Sequence, residues 1–369
     1  MSHTGEGEGG IKVLYIRADG NTDIGMGHVM RCLSVAEAAV DFSPAFITAD
    51  EGCKGMIEER GFRVIVLHTD YRDMTGESAL LADLFDRDAD VLLVDSYQVS
   101  RDYFLALKKL VRVACFEDMG QPYPVDLLIN YNIYAPGLVH SYTPLPTDAV
   151  AAQTYPDSVL LGVEYMPLRK AFQEPSSYQV ADSVTDVTVT TGGSDPCFAA
   201  ASFADALIRD SLTGALLAER KLRLHLVSGP FNQFADALKH RYESCAGITV
   251  HENVKDMRGL LSGSDVVISA TGSTIYEVSA LGVPMVVFYF AENQRQGAEA
   301  LEALTDIANA GCFAEDGTAV TGRVVQALTR CILDKAYRER LHRQEKELID
   351  GKGAMRIVRR LEALGMRDN

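Results

Sequence analysis

The sequence predicts an α/β protein made of two doubly wound halves, each a parallel sheet covered by helices. Three observations carry that expectation. Short β-branched apolar runs alternate with helical patterns through most of the chain, as parallel strands buried on both faces require. The 369 residues suit two domains, each long enough to bury a core of its own. One polar stretch, 173–184 (QEPSSYQVADSV), follows neither the strand nor the helix period and reads as a hinge.

The strand-like runs fall at 12–16, 45–48, 63–67, 91–94, 111–116 and 127–130 in the first half. In the second half they fall at 186–190, 222–227, 249–251, 266–269 and 285–289. Helical patterns lie between them at 29–40, 56–60, 101–110, 198–209 and 232–242. After residue 318 the chain reads as helical and rich in Lys, Arg and Glu. The expected layout is a flexible tail over 1–10, a first domain over 11–172, the hinge over 173–184, a second domain over 185–335 and a helical segment over 336–369.

Lys and Arg number 35 against 51 Asp and Glu, a net charge of −16 that repels nucleic acid and anionic membranes. A phosphate-bearing ligand must then be held by local devices, such as helix N-termini and backbone N–H groups. The seven cysteines form no C-x-x-C pair and are odd in number, so they read as buried small residues of a reducing cytoplasm. No run approaches the ~20 apolar residues of a membrane span; the best, 283–290 (VPMVVFYF), has strand length. The opening MSHTGEGEGG lacks the basic and apolar parts of a signal peptide.

Three strand–turn–helix motifs are candidates for chemistry. The first follows strand 12–16, where ADGNTDIGMGH leads into a helix. Gly25 and Gly27 permit close approach of a ligand to the backbone. The dinucleotide fingerprint fails here, because its third glycine is replaced by Met30 and the glycines come well past the strand tip. His28 sits where the positive end of a helix dipole favours a neutral imidazole able to accept a proton near pH 7. It reads either as a general base or as a histidine that caps the turn.

The second motif is Thr191-Gly192-Gly193-Ser194-Asp195-Pro196, with Asp195 expected as the N-cap and Pro196 as the first helical residue. It reads as an anion-receptive turn or as a plain βα turn. The third runs from Ser269 through Thr271, Gly272, Ser273 and Thr274 to Glu277. Its N–H and O–H groups suit a diphosphate, and Glu277 suits either two ribose hydroxyls or a helix-capping role. Asn293 and Gln294, after the next strand, carry amides able to close over the same ligand.

With these residues in hand, the chain resembles the UDP-2,4-diacetamido-2,4,6-trideoxy-β-L-altropyranose hydrolases of pseudaminic acid biosynthesis. More distantly it resembles the spore-coat polysaccharide and lipid II N-acetylglucosaminyltransferase branch of GT-B proteins. The segments that carry the resemblance run in order along residues 12–295: Arg17-Ala-Asp19, Ile24-Gly-Met-Gly-His28 with Arg31, Val94-Asp95-Ser-Tyr97, Phe116-Glu-Asp118 and Leu128-Ile-Asn130-Tyr-Asn132. They continue through Gly162-Val-Glu-Tyr165 with Leu168-Arg169, Gly192-Gly-Ser-Asp195, His251-Glu-Asn253, Ser269 to Glu277, and Asn293-Gln294. The chain departs from the family in its tail, in the 211–221 region, in its C-terminal helices and in Tyr276 before the glutamate.

The resemblance implies a GT-B fold, two Rossmann-like domains whose parallel sheets face each other across a cleft. It implies His28 as the base, with Arg17, Asp19, Gly27, Arg31, Tyr97, Asn132, Tyr165 and Arg169 around the sugar. It implies UDP on the second half: Gly192, Gly193, Ser194, Thr271, Gly272, Ser273 and Thr274 at the phosphates, Glu277 at the ribose, Asn253, Val254 and Met257 at the uracil, and Asn293 and Gln294 closing the site.

The implied reaction is metal- and cofactor-free, inverting hydrolysis of a UDP-sugar. UDP departs as a stable anion, so one base suffices where glycosidases use a carboxylate pair. The alternatives are a GT-B glycosyltransferase with the same donor site and a non-catalytic nucleotide-sugar-binding protein. A monomer is the default expectation, because one polypeptide carries both halves.

Overall fold

The computed structural model describes residues 12–21, 23–86, 89–144 and 154–365. The expected tail over 1–10 lies outside them. The chain divides into two compact units: residues to Lys170 together with those from Lys352 onward, and Ala171–Gly351.

The first unit is built on a seven-stranded sheet in the order β3-β2-β1-β4-β5-β6-β7. Its strands are β1 Val13–Ala18, β2 Ser43–Thr48, β3 Arg63–Val66, β4 Val91–Asp95, β5 Arg112–Phe116, β6 Leu127–Asn130 and β7 Val159–Leu161. Every pairing is parallel. Helices α1 Gly27–Ala38, α2 Lys54–Glu59, α3 Glu77–Leu80, α4 Arg101–Leu107 and α5 Val139–Tyr142 connect them. Strand β4 (VLLVD) is buried at all five positions, which is why it reads as a continuous apolar run and not as an alternating one. Tyr15, Ile47, Leu92, Val94, Phe104, Val113 and Leu128 form part of the core on this sheet.

The second unit repeats the plan with a six-stranded parallel sheet ordered β10-β9-β8-β11-β12-β13. Its strands are β8 Asp186–Thr190, β9 Arg223–Ser228, β10 Ile248–Glu252, β11 Val266–Ala270, β12 Met285–Tyr289 and β13 Ala308–Cys312. The helices are α6 Ala199–Arg209, α7 Ser211–Ala218, α8 Ala235–Tyr242, α9 Met257–Ser262, α10 Thr274–Leu281, α11 Glu292–Leu304, α12 Phe313–Leu333 and α13 Lys335–Leu348. Strands β7 and β13 escape the sequence pattern. Both are sheet edges; one has three residues and the other is ANAGC, with little β-branched content to mark it.

Two features of the expected layout are corrected. The chain passes between units at Lys170–Ala171 and again at Gly351–Lys352, so the polar stretch 173–184 belongs to the second unit. There the buried Arg338 guanidinium on α13 donates to the carbonyls of Ala181 and Asp182 at 2.7 and 3.1 Å, and Lys335 pairs with Asp182 at 2.5 Å. The 336–369 segment is likewise not one piece. Helix α13 packs on α10, whereas α14 Gly353–Gly365 returns to the first unit against α1, β4 and β5. Among the described residues no helix is long and apolar enough to cross a membrane.

In each unit the strand order reverses once, between β1 and β4 and between β8 and β11. Such reversals open a crevice at the carboxyl ends of the strands, where doubly wound sheets take their ligands.

Candidate functional site

The loop from β1 to α1 forms the first-unit crevice. Asn21 Oδ1 accepts from the N–H groups of Asp23 and Ile24 at 2.9 and 3.1 Å, and Gly25 N–H donates to the Asn21 carbonyl at 2.8 Å. Gly25 closes this turn at φ 74°, a left-handed conformation that a side chain would strain. No side chain caps α1 at its N-terminus, and a Cβ on exposed Gly27 would meet nothing within 4 Å. That helix end therefore presents bare N–H groups.

His28 is buried in the first turn of α1, with 8% of its surface exposed. Its Nδ1 lies 2.5 Å from Oδ1 of Asp95, the last residue of β4. Arg31, one turn further along α1, grips the same carboxylate with Nε and a terminal nitrogen, both at 2.5 Å. Burial by itself would raise the Asp95 carboxyl, but the Arg31 guanidinium and then His28 hold it well below the usual carboxylate range. An ionised carboxylate can only accept, so the Nδ1 proton of His28 points at Asp95, the tautomer that in a neutral ring places the lone pair on Nε2. Arg31 also approaches Nδ1, but at a looser 3.3 Å.

The cluster extends to β5 and β6. Arg31 donates to Asp118 at 3.2 Å and to the Tyr131 hydroxyl at 2.9 Å. Its guanidinium stacks over the rings of Phe116 and Tyr131, 5.0 and 5.5 Å from their centroids. Tyr97 is exposed yet anchored: its hydroxyl donates to Asp118 at 2.9 Å, and its ring meets that of His28 edge-on at 4.7 Å. Desolvation of its hydroxyl against the cluster and the Asp118 charge push the Tyr97 phenol up, so it stays a hydrogen-bond donor. Asp118 Oδ1, by contrast, is buried without a partner.

Other sugar-site candidates stand apart. Arg17 is a correction: its side chain has no exposed surface. It donates twice to Glu77 on α3, at 2.9 and 2.7 Å, and once to Asp19 at 2.5 Å. Asp19 in turn accepts from the Ala49 N–H at 2.7 Å. Both residues brace the loop and the sheet from within. Asn132 bonds Asn130 Oδ1 through its side chain at 2.9 Å and its backbone N–H at 3.1 Å. Tyr165 and Arg169 are half-buried beyond β7, three strands from β4, or about 14 Å at the usual strand spacing.

In the second unit β8 and β11 pair with Thr190 opposite Ser269, so the turns at 191–195 and 271–274 emerge side by side. Gly192 sits at φ 84° with open space where a Cβ would be. A Cβ on Gly229, after β9, would fall 2.2 and 2.5 Å from the carbonyl oxygens of Gly192 and Gly193. Only glycine lets these two loops pack together. Exposed Gly193 and Ser194 complete the first turn.

Asp195 serves α6 differently from the sequence expectation. The cap residue is Phe198, left-handed at φ 55°, and Pro196 lies in an added turn before it. Asp195 still accepts from the N–H groups of Ala199 and Ala200, at 2.8 and 3.0 Å. Burial raises its carboxyl despite those bonds.

Around α10, Gly272 and Ser273 are exposed and Thr274 is half-buried. Ser273 precedes the helix without a side-chain cap. The Thr271 hydroxyl donates to the Phe288 carbonyl at 3.1 Å, and Glu277 is buried in the first helical turn. Exposed Asn293 opens α11, while Gln294 Oε1 accepts from the Phe290 N–H at 2.9 Å and so fastens its own turn. Asn253, left-handed at φ 50°, leads through Val254 to Met257 at the start of α9. That loop follows β10 at the sheet edge, two strands from β8.

Asp95, Asp118 and Tyr131 were not among the sequence-level site residues, though they tie His28 and Arg31 together. Asp95 carried a signal, a carboxylate ending a wholly apolar strand. The cysteines divide: Cys197 is exposed and Cys245 half-buried, against five that are buried.

Residues 190–356 match the glycosyltransferase family 28 C-terminal domain. The chain is 27% identical to Uncharacterized protein MJ1062 of Methanocaldococcus jannaschii over 77% of its own length and 57% of that protein's. It is 24% identical to the spore coat polysaccharide biosynthesis protein SpsG of Bacillus subtilis, over 95% of this chain and 97% of that one. It is 25% identical to the UDP-2,4-diacetamido-2,4,6-trideoxy-beta-L-altropyranose hydrolase of Campylobacter jejuni, over 50% of this chain and 61% of that one. Two of these three relatives are thus spanned over less than two thirds of their length. Among solved structures, Acinetobacter baumannii MurG aligns at a TM-score of 0.60 and 14% identity, covering 96% of this chain and 99% of that one. The MnaA–UDP co-structure of S. aureus aligns at 0.58 and 14%, covering 96% of each. The fold is GT-B.

Proposed function

We propose that this GT-B protein is a nucleotide-sugar enzyme that hydrolyses a UDP-sugar, a UDP-2,4-diacetamido-2,4,6-trideoxyhexose by analogy with its Campylobacter jejuni relative. The observation that carries the proposal is the pairing of His28 Nδ1 with ionised Asp95 at 2.5 Å. It leaves Nε2 as a proton acceptor at the tip of the first-unit sheet. The first unit supplies the base. The second holds the nucleotide at the turns after β8 and β11, with the sequence-derived set Gly192, Gly193, Ser194, Gly272, Ser273, Thr274 and Glu277.

In the proposed step His28 Nε2 takes a proton from water as the water oxygen forms a bond to the anomeric carbon. The bond from that carbon to the phosphate oxygen breaks, and its electron pair leaves with UDP. N–H and O–H donors stabilise the departing diphosphate, so no general acid is required. Attack opposite the leaving group inverts the anomeric centre.

Glycosyl transfer is the second reading, favoured by the full-length likeness to SpsG, a protein named for polysaccharide biosynthesis. There His28 would deprotonate an acceptor hydroxyl in place of water. Incubation with UDP-activated diacetamido-trideoxyhexoses and no acceptor separates the two: UDP release at a catalytic rate supports hydrolysis, and silence across the panel overturns it. His28→Asn should abolish turnover while the UDP dissociation constant stays within about twofold. Near-normal turnover in that variant would remove His28 as the base.

A further inference from the structure

We propose that Thr191 is a ligand-binding residue of the second unit, its hydroxyl donating to a phosphate oxygen of a nucleoside diphosphate seated at the turns after β8 and β11. This rests on the nucleotide reading above and adds to it a residue and the part of the ligand that residue contacts.

Thr191 follows the last residue of β8 and is 4% exposed, yet its Oγ1 has no hydrogen-bond partner. Buried hydroxyls are nearly always satisfied, and an unsatisfied one destabilises the fold. Among the described residues only three buried side-chain polar atoms lack partners: Thr191 Oγ1, Asp118 Oδ1 and Glu345 Oε2. Of the three, Thr191 lies at the tip of β8, which flanks the second-unit reversal, where ligands enter doubly wound folds.

The surroundings specify the ligand chemistry. Beside Thr191, Gly192 is left-handed at φ 84° with nothing in front of it. On the paired strand β11, the turn at Gly272 and Ser273 opens α10 with no side-chain cap. The Gly272 N–H is already taken by the Ala270 carbonyl at 2.9 Å, but the uncapped end of α10 at Ser273 and Thr274 still favours an anion. A hydroxyl on the adjoining turn adds one more donor. Thr271, the corresponding threonine beyond β11, has already given its hydroxyl to Phe288. Thr191 has not.

The test is Thr191→Val in the full chain, which removes the hydroxyl and keeps the side-chain shape, with Thr191→Ser as the variant that retains the donor. Isothermal titration with UDP, UMP and uridine is read alongside the melting temperature of the ligand-free protein. Thr191→Val should weaken UDP about tenfold, the usual scale for a hydrogen bond to a charged group. UMP should weaken by the same factor or less, and uridine should be unchanged. The ligand-free melting temperature should hold or rise, because an unsatisfied buried hydroxyl has been replaced by a methyl group. Thr191→Ser should bind UDP like the wild type.

A merely structural threonine would lower the melting temperature and leave UDP affinity alone. That result overturns the proposal, as does an equal loss for uridine and UDP. If wild-type protein binds none of UDP, ADP and GDP, the nucleotide reading fails and this inference with it. Unchanged UDP binding in Thr191→Val removes this inference alone.

Discussion

At the scale of single residues, the arrangement around Asp95 separates orientation from chemistry. A carboxylate that accepts from His28 Nδ1 and from two nitrogens of Arg31 fixes the imidazole tautomer and ring plane. Asp95→Asn can present its NH2 to the imidazole and so favour the wrong tautomer. Turnover should fall by about 10² to 10⁴, with UDP affinity unchanged and the His28 ring proton shifts altered in NMR. A purely structural Asp95 would reduce the folded fraction and leave the rate per folded molecule intact. Much of this was open to sequence reading: β4 is an unbroken apolar run, so the carboxylate that ends it stands out. The role of Arg17 was not. Its position beside Asp19 at the loop entry looks like a ligand contact, but its partner Glu77 comes from α3, sixty positions on. Local periodicity carries no record of such a pairing.

At the scale of elements, glycines and one buried acid set how closely neighbours approach. Gly229→Ala would drive a methyl group into the carbonyl oxygens of Gly192 and Gly193. The β9 loop must then move, and UDP affinity should drop at least about tenfold while the first unit is untouched; unchanged affinity would separate this packing from the ligand site. Glu345 on α13 is wholly buried and accepts only from the Met285 N–H at 3.2 Å, leaving Oε2 unpartnered. Burial holds its carboxyl well above the ordinary value of 4.5. The unfolded chain therefore releases this proton first as pH rises. The contribution of Glu345 is most favourable below about pH 4.5 and declines above it, toward the raised native value. Glu345→Gln removes that decline. Its melting temperature should exceed the wild type's by a few degrees at pH 7 to 8, with the gap closing toward pH 4.5. A gap that does not change with pH would show that Glu345 is ionised in the native protein. Edge strands β7 and β13 were hidden for a related reason, since contacts with a single neighbouring strand place few demands on side chains.

At the scale of the whole molecule, the last helix belongs to the first unit although the chain reaches it only after completing the second. Helix α14 buries Ile357, Val358, Leu361 and Leu364 against α1, β4 and β5. A Cβ on Gly353, its first residue, would stand 2.1 Å from the Met166 carbonyl oxygen. Sequence alone gave α14 no address: an amphipathic helix declares that it has an apolar face but not which sheet the face will cover. The second unit, Ala171–Gly351, is continuous in sequence and carries its own sheet and helices, whereas the first is completed by residues distant in sequence. A chain ended at Gly351 should therefore keep the second unit folded and bind UDP within about threefold of the full chain. The first unit loses four buried aliphatic side chains, each contributing about 1.5–3 kcal/mol, which exceeds much of the 5–15 kcal/mol that stabilises a typical domain. Calorimetry should show the transition of the first unit lost or moved far down while that of the second persists, and turnover should vanish with the His28 site. Adding the 352–369 peptide in trans should restore part of both. If the truncated chain melts like the full one, α14 is an accessory and not part of the first unit's core.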